Sequence, residues 1–299
     1  MKNNSKVLIF LFFCVILVNY NNIYANEILF NTSELRITNN GNIINAGAGS
    51  AYSKVDNIKI DGQSFKFNKS SSILIANNAK ATLSEKNIEI IADQLIYDQK
   101  ISTVKALGNV EIKDLSNNVT LKSEEAIYNN NEKIIISKVR STFTDKPGNN
   151  IITEQFFYTL NNNLLKISKA KVIDIQNNTY YIERAFLNLI TNKLIGKDVS
   201  VDFNSLAENN EPRMSGKTVS SDEDKTVMEK GVFTTCKRND DCPPWQFLAK
   251  KIIHDKKKKT INYENAWLKI YDKPVFYFPK FFHPDPTVKR QSGFLMPSF

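Results

Sequence analysis

A pattern of about thirty residues returns five times between Asn57 and Phe203, and it leaves few folds open to the chain. The copies begin at Asn57, Asn87, Asn118, Asn150 and Asn178. One and three residues after each opening Asn stand Ile58 and Ile60, Ile88 and Ile90, Val119 and Leu121, Ile151 and Thr153, Thr179 and Tyr181. Further on, the apolar residues move to even offsets: Phe65 and Phe67, Leu95 and Tyr97, Ala126 and Tyr128, Tyr158 and Leu160, then Phe186. Alternation with a period of two is a strand's signature, and a change of parity inside every copy predicts a bulge or corner at mid-strand. Polar turns follow, among them Asn68-Lys69-Ser70, Asp98-Gln99-Lys100, Asn129-Asn130-Asn131 and Asn161-Asn162-Asn163, built from residues that tolerate left-handed backbone. A second strand, seen in Val104, Ala106, Val110 and Ile112, completes the unit. Each copy therefore carries one apolar face that it cannot bury alone, so neighbours must stack. The predicted fold class is all-β and repeat-built.

The flanks read differently. Lys2 and Lys6 precede an apolar run from Val7 to Val18, which predicts a secretory signal over residues 1–25, cleaved before Asn26. That run is too short to cross a bilayer as a helix, and Cys14 within it reads as filler. From Asn26 to about Lys54 lies a degenerate first copy, whose outer strand would be an open edge. The formal net charge of +9 suits anionic partners such as phosphate-bearing lipids, or follows only from a composition rich in Lys and Asn. After Phe203 the periodicity fails. Residues 205–230 are polar, with Pro212, Gly216 and the run Ser221-Asp222-Glu223-Asp224-Lys225, and read as a linker or short irregular strands. A hairpin is predicted next, from Gln246 to Ile253 and from Thr260 to Ile270 around a tip at Lys256–Lys259. From Pro274 the chain is dense in proline and aromatics, which predicts an extended connector, not the middle of a sheet.

Chemistry is sparse. Asp98, Asp114 and Asp174 sit at copy ends with no carboxylate in register, and Asp285 lies between two prolines, so no catalytic pair is expected and the chain is not read as an enzyme. Cys236 and Cys242, with only His254 and His283 elsewhere, are too poor a set for zinc. No metal, cofactor or nucleic acid is predicted. The apolar face itself is the candidate site, and two readings of it stand side by side: a closed interior whose faces fill one another, or a slot that takes a lipid.

The tail and the repeats then bring a resemblance into view. His283-Pro284-Asp285-Pro286-Thr287-Val288-Lys289-Arg290-Gln291-Ser292-Gly293-Phe294-Leu295, with Trp267-Leu268-Lys269-Ile270 and Pro274–Pro279 before it, resembles the junction motif of the LptD family of lipopolysaccharide-assembly (organic solvent tolerance) proteins. The stretch ending at Pro212-Arg213, the stretch Gly231–Cys236 and Pro243-Pro244-Trp245 are similar to that family too. Ala92-Asp93, Tyr97-Asp98 and Gly108-Asn109-Val110 resemble the OstA-type β-jellyroll shared by LptA, LptC and the amino-terminal part of LptD.

The resemblance implies a twisted β-jellyroll over 26–204, a linker and hairpin with the cysteine pair over 205–273, and a junction over 274–299 leading to an outer-membrane barrel that is missing here. It implies an exported protein at the periplasmic face of the outer membrane that holds lipid A acyl chains in an apolar groove and passes lipopolysaccharide onward. The groove residues would be Ile58, Phe65, Phe67, Ile88, Ile90, Leu95, Tyr97, Val119, Leu121, Tyr128 and Tyr158. The junction residues would be His283, Pro284, Asp285, Pro286, Lys289, Arg290, Ser292 and Gly293. Implied partners are lipopolysaccharide, an LptA-like jellyroll docking by strand addition on the open amino-terminal edge, and an LptE-like lipoprotein where a barrel is present. Family members link jellyroll to barrel by disulfides, so Cys236 and Cys242 are disulfide candidates, with a local bridge between them as the other pairing. A stand-alone periplasmic carrier of the LptA kind is the alternative, and the segment from Pro274 to Phe299 is what such a carrier has no use for.

Overall fold

The computed structural model describes residues 28–144, 148–204, 211–237 and 244–288. The expected signal segment, Cys242 and the junction residues Lys289, Arg290, Ser292 and Gly293 lie outside the described residues.

The described residues build a single antiparallel sheet of 22 strands. Three broken layers come first: β1 (Ile28–Thr32) with β2 (Leu35–Thr38), β3 (Ile43–Ala46) with β4 (Gly49–Ser53), and β5 (Ile58–Gly62) with β6 (Ser64–Asn68). Four long strands follow, β7 (Ile73–Leu83), β8 (Ile88–Asp98), β9 (Thr103–Asp114) and β10 (Val119–Asn129). Two more broken layers are β11 (Ile134–Ser137) with β12 (Ser141–Thr144), and β13 (Asn150–Thr153) with β14 (Gln155–Thr159). The last eight strands are β15 (Leu164–Ile173), β16 (Thr179–Asn188), β17 (Leu194–Asp202), β18 (Arg213–Ser221), β19 (Lys225–Thr234), β20 (Trp245–Asp255), β21 (Thr260–Ile270) and β22 (Lys273–Pro284).

Broken and unbroken layers are one design. β5 and β6 both pair with β7, Ile58 opposite Leu83 and Phe65 opposite Ala76. Likewise β11 and β12 both pair with β10. Every layer is therefore a strand folded at its middle. Left-handed residues mark the corners of β7, β9, β15, β17, β19 and β21 at Asn78, Asn109, Lys169, Asp198, Lys230 and Asn265. In β9 the corner also needs Gly108 at φ +73°, where a side chain would come within 2.5 Å of the Asp93 carboxylate. That carboxylate accepts instead from Asn109 Nδ2 at 2.9 Å. The parity change read from the sequence is present in β8, where Ile88, Ile90 and Ala92 are buried before the corner and Leu95 and Tyr97 after it. The recurring asparagines have their own reason: Asn57, Asn87 and Asn118 all take left-handed backbone in the turns.

Folding every layer at one place gives the sheet two walls. The front wall holds β2, β3, β6, β11 and β14 and the adjoining arms of the long strands, and the back wall holds β1, β4, β5, β12 and β13 and theirs. The walls meet across an apolar interior, as Phe30 of β1 does with Phe65 and Phe67 of β6, ring centroids 6.1 and 6.2 Å apart. This is the expected β-jellyroll architecture.

Two stretches depart from their sequence reading. The polar segment read as a linker carries β18 and β19, registered along most of their length with β17 and β20. Met214, Val219, Met228 and Phe233 supply its buried face, while Ser, Thr and Lys occupy the other positions, so a full strand hides in a hydrophilic composition. The segment read as an extended connector is β22, paired with β21 from Lys273 to Pro284. Among the described residues it borders only β21, which is how Pro274, Pro279 and Pro284 are accommodated. The predicted hairpin is present as β20 and β21. Among the described residues no helix is long and apolar enough to cross a membrane.

Candidate functional site

The interior has three zones. The first, from β4 to β14, contains every predicted groove residue: Ile58, Phe65, Phe67, Ile88, Ile90, Leu95, Tyr97, Val119, Leu121, Tyr128 and Tyr158 are all buried. Leu95, Leu121 and Tyr158 are 0% exposed, so in this conformation they meet one another and not solvent. The filled alternative describes this zone.

Its free margin, where front turns face back turns, is closed by hydrogen bonds from wall to wall. The Tyr97 hydroxyl of the front wall donates to Asp56 Oδ2 of the back wall at 2.5 Å and lies 2.8 Å from Ser53 Oγ. Tyr128 donates to Asn130 Oδ1 at 2.7 Å, and Asn130 Nδ2 reaches Asp56 Oδ1 at 3.1 Å. Tyr158 donates to Asp114, and Asn117 Nδ2 bridges Asp114 Oδ2 at 2.7 Å to Asn163 Oδ1 at 2.6 Å. Burial, reinforced by the neighbouring carboxylates, pushes the Tyr97 and Tyr158 hydroxyls well above the usual phenol range, so both stay donors.

In the second zone, between β13 and β21, the walls stand apart around a cavity of about 500 Å³. Ile167, Leu187 and Met228 line it from the front wall, and Val172, Ile182 and Val199 from the back. Its rim is polar. Tyr180 donates to Asp174 Oδ2 at 3.0 Å, and burial raises its hydroxyl pKa. Lys256 Nζ donates to Ser221 Oγ at 3.1 Å and to the Asp222 carbonyl at 2.6 Å, and burial lowers its pKa against the pull of nearby carboxylates. The amides of Lys225 and Asp224, at 2.8 and 2.9 Å, hold the Asp222 carboxyl below its ordinary range. Of the lysine tip, Lys257 also pairs with Asp224 at 2.8 Å.

The third zone closes the far end of the cavity, and the described part of the junction motif builds it. Asp285 accepts from His254 and, at 2.8 Å, from the Thr287 amide, while its own amide donates to the Lys259 carbonyl at 2.9 Å. Burial pushes the Asp285 carboxyl up, but these donors outweigh it and the net shift is down. Phe203 of the back wall sets its ring against His254, centroids 5.7 Å apart. His283 Nδ1 faces the Pro284 carbonyl at 2.6 Å, which fixes the proton on Nδ1 and leaves Nε2 to accept from Tyr263 at 2.7 Å. Burial pushes His283 down to about 4. Behind it Phe247 packs across the walls on Tyr263 and Phe281, at 5.3 and 5.1 Å.

Sequence reasoning missed the cavity. Its residues belong to the same alternating strands, but period-two patterning says which side chains point inward and not how far apart two walls stand. Among the described residues no group of three His, Cys, Asp or Glu is placed to hold a metal. Cys236 is half-buried with its amide donating to Thr234 Oγ1 at 3.2 Å, and its other disulfide candidate falls outside the described residues.

No family model matches the chain. Curated relatives do, those named here over 73 residues that make up 24% of this chain and 9% of each relative. The LPS-assembly protein LptD of Sodalis glossinidius (strain morsitans) is 41% identical there. The proteins of the same name from Yersinia pestis bv. Antiqua (strain Antiqua) and Salmonella typhi are 37% and 36% identical. The resemblance read from the motifs thus has named counterparts, each matched over only a small share of its own length.

Proposed function

We propose that the chain is part of a lipopolysaccharide-assembly apparatus of the cell envelope and holds lipid A acyl chains between its two walls. The observation that carries this reading is the cavity of about 500 Å³, apolar within and polar at the rim, in a chain that is similar over 73 residues to proteins named for LPS assembly. A volume of that size lies inside the roughly 300–1,000 Å³ range of small-molecule and cofactor sites. Burying one acyl methylene gains about 0.8 kcal/mol, so a chain of roughly twelve carbons gains on the order of 10 kcal/mol. Exposing it to water during transfer would slow the step by about seven decades at about 1.4 kcal/mol per decade. A protein interior that keeps the chain covered removes that cost, while the sugar headgroup stays at the polar rim.

The chain would work at the periplasmic face of the outer membrane. An LptA-like jellyroll would add a strand at the edge formed by β1 and β2, which among the described residues pair with β4 and β3 alone. An LptE-like lipoprotein would join where a barrel is present. The test is a photocrosslinking residue at Leu187 in cells that make lipopolysaccharide. A lipopolysaccharide adduct there, and none at the outward-facing Ile195, is the expected result. Absence of an adduct at Leu187 together with absence at Val199 and Met228 would refute the reading.

A further inference from the structure

Exposed apolar side chains crowd at the tip of the hairpin that β21 and β22 form. Trp267, Ile270, Tyr271, Val275, Phe276 and Tyr277 are all exposed there, a concentration that marks an interaction site. Tyr271 and Asp272 make the turn in left-handed backbone, at φ 45° and 63°, and the strands stay paired up to Ile270 and Lys273. The tip is fastened at its base. Asp272 accepts from Gln246 Nε2 at 2.8 Å, and the Tyr271 amide donates to the Pro244 carbonyl at 3.1 Å.

The apolar side chains occupy both faces of this hairpin. Trp267 and Tyr277 lie opposite each other on the outer face, ring centroids 5.1 Å apart, and the Tyr277 hydroxyl donates to Asn265 Oδ1 at 2.7 Å. Ile270 and Phe276 lie on the inner face in line with Leu268, where among the described residues no further strand covers them. Phe276 is 57% exposed, yet its ring is rooted in the core: it stacks on Phe278 at 4.7 Å, and Phe278 stacks on Phe281 and on buried Phe247 at 5.1 and 6.0 Å. A second protein laid against the tip would cover one face and leave the other wet. A medium that surrounds the tip covers both.

The polar residues of the hairpin fit one such medium. Lys269, Lys273 and Lys280 stand among the rings, and Asp272 is already held by Gln246. Trp, Tyr and Lys together suit the boundary between lipid tails and headgroups, with rings in the apolar layer and ammonium groups at the phosphates. A strand entering that boundary must not bring unpaired backbone donors, and Pro274 and Pro279 carry none. We infer that the tip of this hairpin is a membrane anchor, which dips its rings into the surface of a bilayer carrying anionic phospholipid. The anchor goes beyond the cavity, since it needs no acyl chain inside the protein.

The test uses the full chain, vesicles of phosphatidylethanolamine and phosphatidylglycerol free of lipopolysaccharide, and tryptophan fluorescence. The chain has two tryptophans, exposed Trp267 and buried Trp245. The apolar run over residues 7–18 can bring the chain to a vesicle by itself, so the readout is local: phospholipid brominated on its acyl chains quenches rings that enter the apolar layer. We expect Trp267 emission to shift to the blue and to be quenched, and Trp267→Phe, which keeps Trp245, to lose both responses. Tyr271→Ser with Phe276→Ser should raise the lipid needed for half-quenching roughly tenfold, the change that about 1.4 kcal/mol gives. Lys269→Glu with Lys273→Glu should weaken quenching on these vesicles and leave it unaltered on vesicles of phosphatidylcholine. Ile195→Trp in the Trp267→Phe chain, at an exposed position away from the tip, should stay unquenched. Trp267 emission unchanged by vesicles overturns the anchor, and so does quenching at Ile195→Trp as strong as at Trp267. Should a serine variant fail to fold, the comparison of Trp267 with Ile195→Trp decides. Because the vesicles hold no lipopolysaccharide, failure here leaves the proposed function standing, and failure of crosslinking at Leu187 leaves the anchor standing.

Discussion

Truncating Leu95 and Leu187 to alanine should have opposite consequences, and the contrast follows from where the interior is full. Leu95 is 0% exposed and packed between the walls, so Leu95→Ala leaves a void that its neighbours fill only in part. A cost of about 2–5 kcal/mol is expected, the range for a buried leucine deletion. Leu187 already borders the cavity, so part of its surface has no protein atoms to lose. Leu187→Ala should therefore cost only about 1–2 kcal/mol, near the hydrophobic transfer of the removed methylenes alone. Urea unfolding followed by far-ultraviolet circular dichroism measures both, with Ile195→Ala, at an exposed position, as the reference expected within about 0.5 kcal/mol of the unsubstituted chain. Saturating lipid adds a second contrast. It stabilises the folded state through binding, by about 2.7 kcal/mol at a hundredfold excess over Kd, and that gain should shrink in Leu187→Ala and persist in Leu95→Ala. Equal costs for the two substitutions, both near 1 kcal/mol, would mean that the first zone is as open as the second and would refute the division of the interior.

Three further outcomes follow from the polar groups. Tyr158→Phe should destabilise by about 1–3 kcal/mol, since it takes a donor from the buried Asp114 carboxylate; thermal unfolding measures it. Asp285→Ala should cost about 1–3 kcal/mol by leaving the His254 ring without its buried hydrogen-bond partner, and should loosen the end wall so that a probe at His283 gains solvent exchange; denaturant midpoints and hydrogen exchange read the two effects. His283 has its pKa lowered from 6.5 to about 4, so the unfolded chain takes up a proton that the folded chain refuses. That contribution, about 3 kcal/mol, is fully present above pH 6.5 and is lost as pH falls toward 4. Urea midpoints at pH 7, 5.5 and 4.5 should trace the loss, and His283→Phe should flatten it in this window.

Much of the architecture was legible because it repeats. The shift from odd to even offsets inside each copy announced the corner, and the turn Asn161-Asn162-Asn163 takes the left-handed backbone expected of it at Asn163, whereas the left-handed role of Asn57, Asn87 and Asn118 was not read. β18 and β19 were not legible, because Lys217, Thr218, Ser220, Lys225 and Glu229 dominate the composition while the inner face rests on a few residues such as Met214 and Met228. β22 was hidden by its three prolines, which exclude a central strand but not one bordered on a single side. The groove tyrosines were legible as inward-facing positions, but not the hydroxyl partners that Tyr97 and Tyr158 find on the opposite wall at Asp56 and Asp114.

The division of the interior also bears on direction. An acyl chain in the cavity meets packed aliphatic side chains toward β4 and stacked rings toward β22, where Phe233, Phe247, Tyr263, Phe281 and His283 pack within 6.2 Å of a neighbour. The two barriers differ in kind. On the first side the walls are held across their margin by hydrogen bonds that water can replace. On the other side aromatic rings interlock across the walls and His254 binds Asp285 out of water, so opening would expose large apolar area and an ionisable pair together. If the cavity holds an acyl chain as proposed, the margin toward β4 would be the easier of the two to open. Movement toward β22 requires something that repacks the rings. The exposed aromatic residues of β22, Phe276, Tyr277 and Phe282, with Trp267 packed on Tyr277, mark where such a contact would act.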